Sequence, residues 1–282
     1  MFRILATIFA ALLGLAFGSF LNVCLSRWPE DESVVKPRSH CRTCTRPLLW
    51  FENIPLLSWL ALGGRCRTCN APINWRYPLV EASVGLLWAL VAWNALTADP
   101  DWALPGTYGR LIAESVCSMS LMWVLVALAA LDAEHLWLPD FLTIPGIALG
   151  FIVQTAFRTI GTALFRYPFW PTVMWNLGAI VLAAALILLI RWVYWLFRRQ
   201  EGIGLGDAKL MALLAAWLGL PGALLSFFLG VILGALLAVP LLMTHRTAQA
   251  KLPLGTFLCI GGIVTALWGQ QILSAYLTWS GF

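Results

Sequence analysis

The chain has 282 residues, of which 61% are hydrophobic and 11% are charged, and its formal net charge is +5. A soluble domain carries about 25% charged residues, so this composition excludes an ordinary soluble protein and indicates that lipid is its main solvent. The positive charge gives no reason to expect a nucleic-acid partner, because a basic collar at the cytoplasmic face of a membrane protein accounts for it.

Eight apolar runs are candidates for membrane-spanning helices, each of which needs about 20 residues to cross hydrocarbon. The runs lie near residues 4–25, 79–97, 110–131, 140–158, 171–197, 207–220, 222–243 and 254–276. The predicted fold is an all-α integral membrane protein of about eight transmembrane helices. The first run is interpreted as a retained anchor, because Trp28-Pro29-Glu30 follows it where a signal peptide would carry small residues.

The runs divide the chain into three predicted domains. Residues 1–25 form the first transmembrane helix, residues 26–77 form a polar loop domain, and residues 78–282 form a seven-helix membrane domain. Most basic residues fall in that loop and in the fifth and seventh connections, which include Arg246 and Lys251. By the positive-inside rule these connections are cytoplasmic. Both termini are then periplasmic, together with Arg3, Arg110, Arg158 and Arg166.

The polar loop contains the same short pattern twice. Cys41-Arg42-Thr43-Cys44 is followed by Pro47, and Cys66-Arg67-Thr68-Cys69 is followed by Pro72. Two CxxC hairpins supply four thiolates, a tetrahedral shell suited to Zn²⁺. Two disulfides are the alternative, but they conflict with a cytoplasmic loop, where thiols stay reduced.

The predicted zinc is structural rather than catalytic. Four cysteines leave no open position for water or substrate, so the metal would fold a loop too small and polar to hold itself together. Nearby arginines are expected to offset the charge of the thiolates. These are Arg42, Arg46, Arg65 and Arg67.

Two carboxylates stand at the ends of apolar runs, at the level of one membrane face. Asp132 ends the third run, and Asp207 closes the glycine-rich stretch 202–207. Ionisable residues at the margin of hydrocarbon are costly and are commonly functional. Alone, each could simply end or cap a helix. As a pair they suggest acid–base chemistry, and non-helical glycines before Asp207 would expose backbone for an extended peptide substrate.

Several motifs resemble those of the type IV prepilin peptidase family, GxGD aspartic proteases of the bacterial inner membrane. The matching stretches are 18–23, the doubled CxxC, 76–81, 131–140, the Gly204-Leu205-Gly206-Asp207 motif with Lys209 after it, and 252–255. Leu254 stands where Phe is more usual in the family, and the stretch 159–173 is longer than usual.

The resemblance implies a bifunctional enzyme that processes prepilins or type II secretion pseudopilins. It would cleave the basic leader peptide on the cytoplasmic side and methylate the new N-terminal residue with S-adenosylmethionine. Asp132 and Asp207 would be the catalytic residues, Gly204 and Gly206 would line the substrate site, and Zn²⁺ would occupy the cysteine cluster. We expect Asp207 to be the resting base, because it begins a helix whereas Asp132 ends one.

The methyl-transfer site is less defined by the sequence. Glu81 is the best candidate for holding an amino group of the cofactor or of the substrate, although it could equally be a solvated acid at a helix start. Lys209 and Asp140 are further candidates for binding cofactor or substrate, and Asp140 could instead cap a helix. The expected partners are prepilins or pseudopilins and membrane lipids. The sequence does not fix the oligomeric state.

Two other classes of function explain parts of the sequence. A proton-coupled transporter would also keep membrane carboxylates and broken helices, but it would usually show internal repeats, which these segments lack. A zinc-loop scaffold without catalysis explains the cysteines but gives Asp132 and Asp207 no task.

Overall fold

The computed structural model describes residues 1–98, 107–160, 168–200, 204–243 and 253–280, and most of these residues are helical. Within these ranges the helices are α1 (Phe2–Arg27), α2 (Leu57–Ala61), α3 (Arg76–Ala98), α4 (Thr107–His135), α5 (Asp140–Ile160), α6 (Phe169–Arg198), α7 (Leu205–Met243) and α8 (Leu254–Ser280). Seven of the described helices are long and apolar enough to cross a membrane. The predicted all-α membrane fold is therefore confirmed.

The chain forms two compact units, Met1–Ala127 and Leu128–Phe282. The predicted division into a first helix, a zinc loop and a seven-helix domain is a functional one and stays a prediction. Some residues used in the sequence interpretation lie outside the described ranges. They are the basic residues Arg166, Arg246 and Lys251, together with Gly202, Ile203 and Leu252 of the two motifs.

In the first unit, α1 packs closely along α3. A side chain placed on Gly14 would lie 2.8 Å from the carbonyl oxygen of Val84, and one on Gly18 would lie 2.8 Å from the Cα of Glu81. Glycines four residues apart on one helix face allow this approach of two membrane helices. The contact fixes Glu81 against α1.

The α7 element is two helices in succession. Gly219 has φ 72° and ψ 174°, which breaks the helix two residues before the predicted turn at Pro221-Gly222. After the break the chain runs antiparallel to α8, with Gly222 beside Thr265, Ser226 beside Gly261 and Gly230 beside Leu258.

The start of α7 lies level with the start of α8, because Asp132 contacts Gly255 and acts electrostatically on Asp207. The second half of α7 therefore returns toward the level at which the first half began. This reversal matches the separate runs 207–220 and 222–243 predicted from the sequence.

The helical part of α7 begins earlier than predicted. Leu205 and Gly206 are helical and precede Asp207, which is the third residue of the helix rather than its cap. The expectation of non-helical backbone up to Asp207 was therefore wrong for Gly206. Packing of α7 against α5 fixes this helix, because the indole Nε1 of Trp217 donates to the carbonyl of Gly146 at 2.9 Å.

Candidate active site and metal centre

Asp132 and Asp207 are brought together in the second unit, as predicted. Both side chains are buried, with exposures of 6% and 8%, and the charge of Asp132 acts on Asp207. The starts of α7 and α8 meet at Leu138, in the connection between α4 and α5. Side chains on Gly206 and Gly255 would each lie 3.1 Å from an atom of Leu138. Glycine at both positions lets the two helix starts approach the same leucine.

Asp207 turns back onto the residue that precedes its helix. Its Oδ2 accepts the backbone N–H of Gly204 at 3.1 Å. This is one half of a capping box, in which an acid at the third helical position satisfies the N–H at the N-cap. Gly204 therefore has a local role, and Gly206 packs against Leu138. The predicted backbone contact of these glycines with substrate remains a prediction.

Asp132 is held by the first turn of α8. The backbone N–H of Thr256 donates to its Oδ2 at 2.6 Å, and the Thr256 hydroxyl lies 3.1 Å from the same oxygen. Asp132 thus accepts a hydrogen bond from a backbone N–H that has no acceptor within α8 itself. Thr256 was not predicted from the sequence, because it lies 124 positions from Asp132. It directly follows the motif 252–255 but is not part of that motif.

Helix ends no longer distinguish the two acids. Asp132 is in the last turn of α4, but it also faces the positive N-terminal end of α8, while Asp207 lies in the first turn of α7. The expectation that Asp207 is the resting base rested on the start of α7 and the end of α4, without the contribution of α8. At Asp132 the positive N-terminal end of α8 favours the ionised form, whereas the negative C-terminal end of α4 disfavours it.

Lys209 and Asp140 form an ion pair between Nζ and Oδ1, and both side chains are partly exposed. The pair joins the N-terminal ends of α7 and α5. Asp140 thus has an ionic partner in addition to its place at the start of α5, and Lys209 is more than an unpaired surface charge. A role for either in binding cofactor or substrate stays a prediction.

Glu81 lies in the first unit among neutral groups. Its Oε2 accepts the backbone N–H of Leu56 at 2.8 Å, and the side chains of Ser19 and Asn22 also hydrogen-bond to it. Its residue exposure is 8%, so it is not a solvated acid at the helix start. The motifs 18–23 and 76–81, far apart in sequence, meet here.

One polar atom beside Glu81 lacks a partner. The Nδ2 of Asn22 donates to the carbonyl of Tyr77 at 2.9 Å, but its Oδ1 is buried and accepts no hydrogen bond from the described residues. Buried polar atoms are nearly always paired. The Asn22 oxygen lacks a donor beside the negatively charged Glu81, and an ammonium group supplies three donors and a positive charge.

The four cysteines of the CxxC pairs converge on one point. The sulfurs of Cys41, Cys44, Cys66 and Cys69 lie within 4.8 Å of one another, and those of Cys41 and Cys69 are 3.8 Å apart. A tetrahedral Zn²⁺ with bonds of about 2.3 Å separates its ligands by about 3.8 Å. The donor set and its spacing therefore fit a closed, structural zinc site.

The repeat in the sequence is a repeat in the structure. The N–H of Cys41 donates to the carbonyl of Arg46, and the N–H of Cys66 donates to that of Ala71. The fifth residue of each hairpin, Thr45 or Asn70, has a positive φ of 57° or 55°. Each CxxC is thus closed by the same turn.

Backbone N–H groups stabilise the thiolate form needed for metal binding. The N–H groups of Cys69 and Thr68 lower the pKa of Cys66 to about 6. Hydrogen bonding to the N–H of Cys44 likewise lowers the pKa of Cys41. The thiolate is the form of cysteine that coordinates a metal.

The arginines around the cluster differ in their partners. Arg46 interacts with the charges of Cys66 and Cys44, and its Nη2 also donates to Glu52 at 2.7 Å. Glu52 is buried, and the pKa of its carboxyl is lowered by Arg46 and by the N–H of Leu49. Arg42 donates to the carbonyl of Ser26 instead. Glu52 was missed because nothing in its local sequence marks it as a partner of Arg46.

Comparison with known proteins decides the family. The model of the bacterial peptidase A24 N-terminal domain matches residues 12–95, and that of the type IV leader peptidase family matches residues 119–239. The chain belongs to the type IV leader peptidase family. The matched ranges contain Glu81 in the first case and both aspartates in the second, and the predicted resemblance is confirmed.

Curated relatives in this family match almost end to end. A prepilin leader peptidase/N-methyltransferase of Pseudomonas aeruginosa is 34% identical over 96% of this chain and 93% of its own length. One of Aeromonas hydrophila is 38% identical over 95% and 92%. One of Myxococcus xanthus is 38% identical over 89% of this chain and 75% of its own. No solved structure matches the chain significantly.

Proposed function

We propose that this chain is a prepilin leader peptidase and N-methyltransferase, an enzyme with Asp132 and Asp207 as its catalytic pair. The proposal is carried by the meeting of two buried carboxylates in a chain whose relatives bear that name over nearly their full length. The substrates are prepilins or pseudopilins with a basic leader.

The two carboxylates divide the work of peptide hydrolysis by sharing one proton. The ionised member takes a proton from water, which attacks the scissile carbonyl, and the protonated member donates to the carbonyl oxygen or to the leaving amine. Burial beside one another disfavours a double negative charge. Gly204 and Gly206, on either side of Leu205, have no side chains that would keep an extended leader peptide from the backbone next to Asp207.

The cleavage assay uses a prepilin with a basic leader and the purified, full-length enzyme. Asp132→Asn and Asp207→Asn are each expected to reduce cleavage by at least about a thousandfold, since either change leaves no carboxylate pair to share a proton. Glu114→Gln is the matched control, because Glu114 is an exposed acid on α4 that pairs with Arg110 at 2.7 Å. Appreciable cleavage by Asp132→Asn would remove that residue from the reaction.

The same assay separates the alternatives. A proton-coupled transporter or a catalytically inert zinc-loop scaffold would leave the prepilin uncut even with the unaltered chain.

For methyl transfer, Glu81 and Asn22 are proposed to hold an ammonium group. S-adenosylmethionine, the donor that N-methyltransferase activity implies, supplies an activated methyl group and carries an amino group. The new N-terminus of the cut pilin is a second amine. The neutral contacts of Glu81 and the unpaired Oδ1 of Asn22 suit either amine.

Glu81→Gln tests this assignment, because glutamine can still accept the N–H of Leu56 but has no charge. We expect leader cleavage to continue and methylation of the mature N-terminus to fall by about tenfold or more. Mass spectrometry of the mature pilin measures methylated and unmethylated product together. Glu30→Gln, an exposed acid after α1, is the control. Full methylation by Glu81→Gln would contradict the assignment.

The cysteine cluster is proposed to hold one structural Zn²⁺, and the enzyme is proposed to reside in the bacterial inner membrane. The positive charge of the basic connections supports an orientation with the zinc loop and the active site on the cytoplasmic side and both termini in the periplasm. Membrane lipids then surround the exposed apolar faces of the helices.

A further inference from the structure

We infer that Thr256 is a positioning residue for peptide cleavage, and that its hydroxyl holds Asp132 in both the ionised and the protonated form. The inference rests on the proposed peptidase function. It concerns a residue 124 positions from Asp132 in the chain, at the third position of α8.

Two hydrogen-bonding groups of Thr256 meet one oxygen of Asp132. The backbone N–H lies 2.6 Å from Oδ2, and the hydroxyl oxygen lies 3.1 Å from it. The described residues donate nothing to Oδ1. Thr256 therefore fixes one oxygen of the carboxylate and leaves the other for water and substrate.

The hydroxyl has a second partner on α4. It lies 3.1 Å from the carbonyl oxygen of Ala129, three residues before Asp132. A hydroxyl has a single proton to donate and lone pairs to accept with, so it can serve only one of these acceptors at a time. Its proton can thus occupy either of two positions without movement of any heavier atom.

These two positions correspond to the two states of the acid. When Asp132 is ionised, the Thr256 hydroxyl donates to Oδ2. When Asp132 is protonated on Oδ1, the oxygen left for water and substrate, Oδ2 still accepts the N–H and the hydroxyl of Thr256, and the hydroxyl, no longer facing a full negative charge, can turn its proton to the carbonyl of Ala129. A catalytic acid changes protonation state in each cycle, and this arrangement holds its geometry throughout.

Little space exists for another orientation of the carboxylate. Asp132 is 6% exposed, and a Cβ on Gly255 would lie 2.9 Å from both its Cγ and its Oδ2. Among the described residues, the titratable groups that face it are Asp207 on α7 and Cys259 on α8. Neither is positively charged, so Thr256 supplies the stabilisation that a basic residue gives elsewhere.

Thr256→Val tests the hydroxyl, since valine keeps the side-chain shape and the backbone N–H. We expect kcat for prepilin cleavage to fall roughly ten- to a hundredfold, the rate equivalent of one hydrogen bond to a charged group, with KM little changed. The pH profile of kcat should also shift, because the variant holds the two forms of Asp132 unequally. Thr256→Ser should restore most of kcat and the original profile.

Thr265→Val is the matched control on the same helix. The hydroxyl of Thr265 is buried without a hydrogen-bond partner among the described residues, so its loss should leave cleavage unchanged. If Thr256→Val does not fold, Thr256→Ala, which also lacks the hydroxyl, replaces it. Unaltered kcat and pH profile in the folded variant would overturn the inference.

Failure of the proposed function would give a different result in the cleavage assay. In that case the unaltered enzyme does not cut the prepilin at all, whereas failure of the Thr256 inference alone leaves the unaltered enzyme and the Thr256 variants equally active.

Discussion

The side chain of Asp132 shows how far a residue's role can be predicted locally. Its position at the end of an apolar run indicated an acid placed for function, and the structure brings it to Asp207. Its hydrogen-bond partner could not be predicted, because Thr256 is distant in sequence. Helix-end electrostatics depend on every helix that reaches the carboxylate, and the sequence showed only the helix that contains it.

Addition of a single methyl group at Gly255 tests how closely Asp132 is held. We expect Gly255→Ala to reduce prepilin cleavage by at least about tenfold, because the added Cβ would lie 2.9 Å from Cγ and Oδ2 of Asp132 and must displace the carboxylate. The measurement is kcat in the cleavage assay, with thermal unfolding to verify that the variant is folded.

Gly178→Ala provides the comparison, since no described residue outside the adjacent backbone of α6 lies within 4 Å of the added carbon. It should cleave normally. If Gly255→Ala cleaves equally well, Asp132 tolerates displacement and is held less closely than its contacts indicate.

Among the elements, α7 was predicted with the right number of parts and slightly wrong bounds. The Pro221-Gly222 pair marked the reversal, but the break falls at Gly219, whose positive φ is favourable only for glycine. Proline then follows within the first turn of the second helix, where its missing N–H costs nothing. Choosing between nearby glycines requires knowledge of the packing partners, and the sequence does not contain these explicitly.

The two CxxC hairpins were predicted as one metal site from spacing alone. Cys66→Ser combined with Cys69→Ser is expected to abolish zinc binding, since two sulfurs cannot complete the tetrahedral shell. Metal analysis of the purified protein should find about one zinc per unaltered chain and almost none in the variant. Cys117→Ser, outside the cluster, should keep its zinc. Zinc that is retained by the double variant would place the metal elsewhere.

Equivalent positions in the hairpins allow a finer prediction. Thr45 and Asn70 share a positive φ, a conformation that suits asparagine and strains a β-branched residue. Thr45→Asn should therefore stabilise the zinc loop by about 1 kcal/mol, and Asn70→Thr should destabilise it by a similar amount. Zinc loss in competition with a chelator measures both. Equal metal retention in the two variants would show that the turn conformation contributes nothing.

For the molecule as a whole, composition was sufficient to predict the class of fold. Seven described helices can span a membrane, and α7 reverses midway, which gives eight crossings if each half spans. The division into two units at Ala127 was not anticipated, because α4 runs through the boundary without any change in apolar character. Packing between helices, rather than polarity along the chain, defines that division.

Eight crossings would place the two termini on the same side of the membrane. We predict that a reporter active only in the periplasm is active when fused after residue 282, and inactive when it is inserted in the basic connection near residue 248. The insertion serves as the control for reporter background. Activity at residue 248 with none after residue 282 would mean that the orientation is inverted.

The hydrogen bond between Leu56 and Glu81 links metal chemistry to a helix within the membrane. If the proposed Zn²⁺ binds the four sulfurs, it stabilises the loop from Cys41 to Cys69, and Leu56 lies in the middle of that loop. Removal of the ion would thus loosen the backbone N–H of Leu56, which donates to Glu81. An ion that takes no part in any reaction would in this way determine how firmly the carboxylate of a proposed binding site is held.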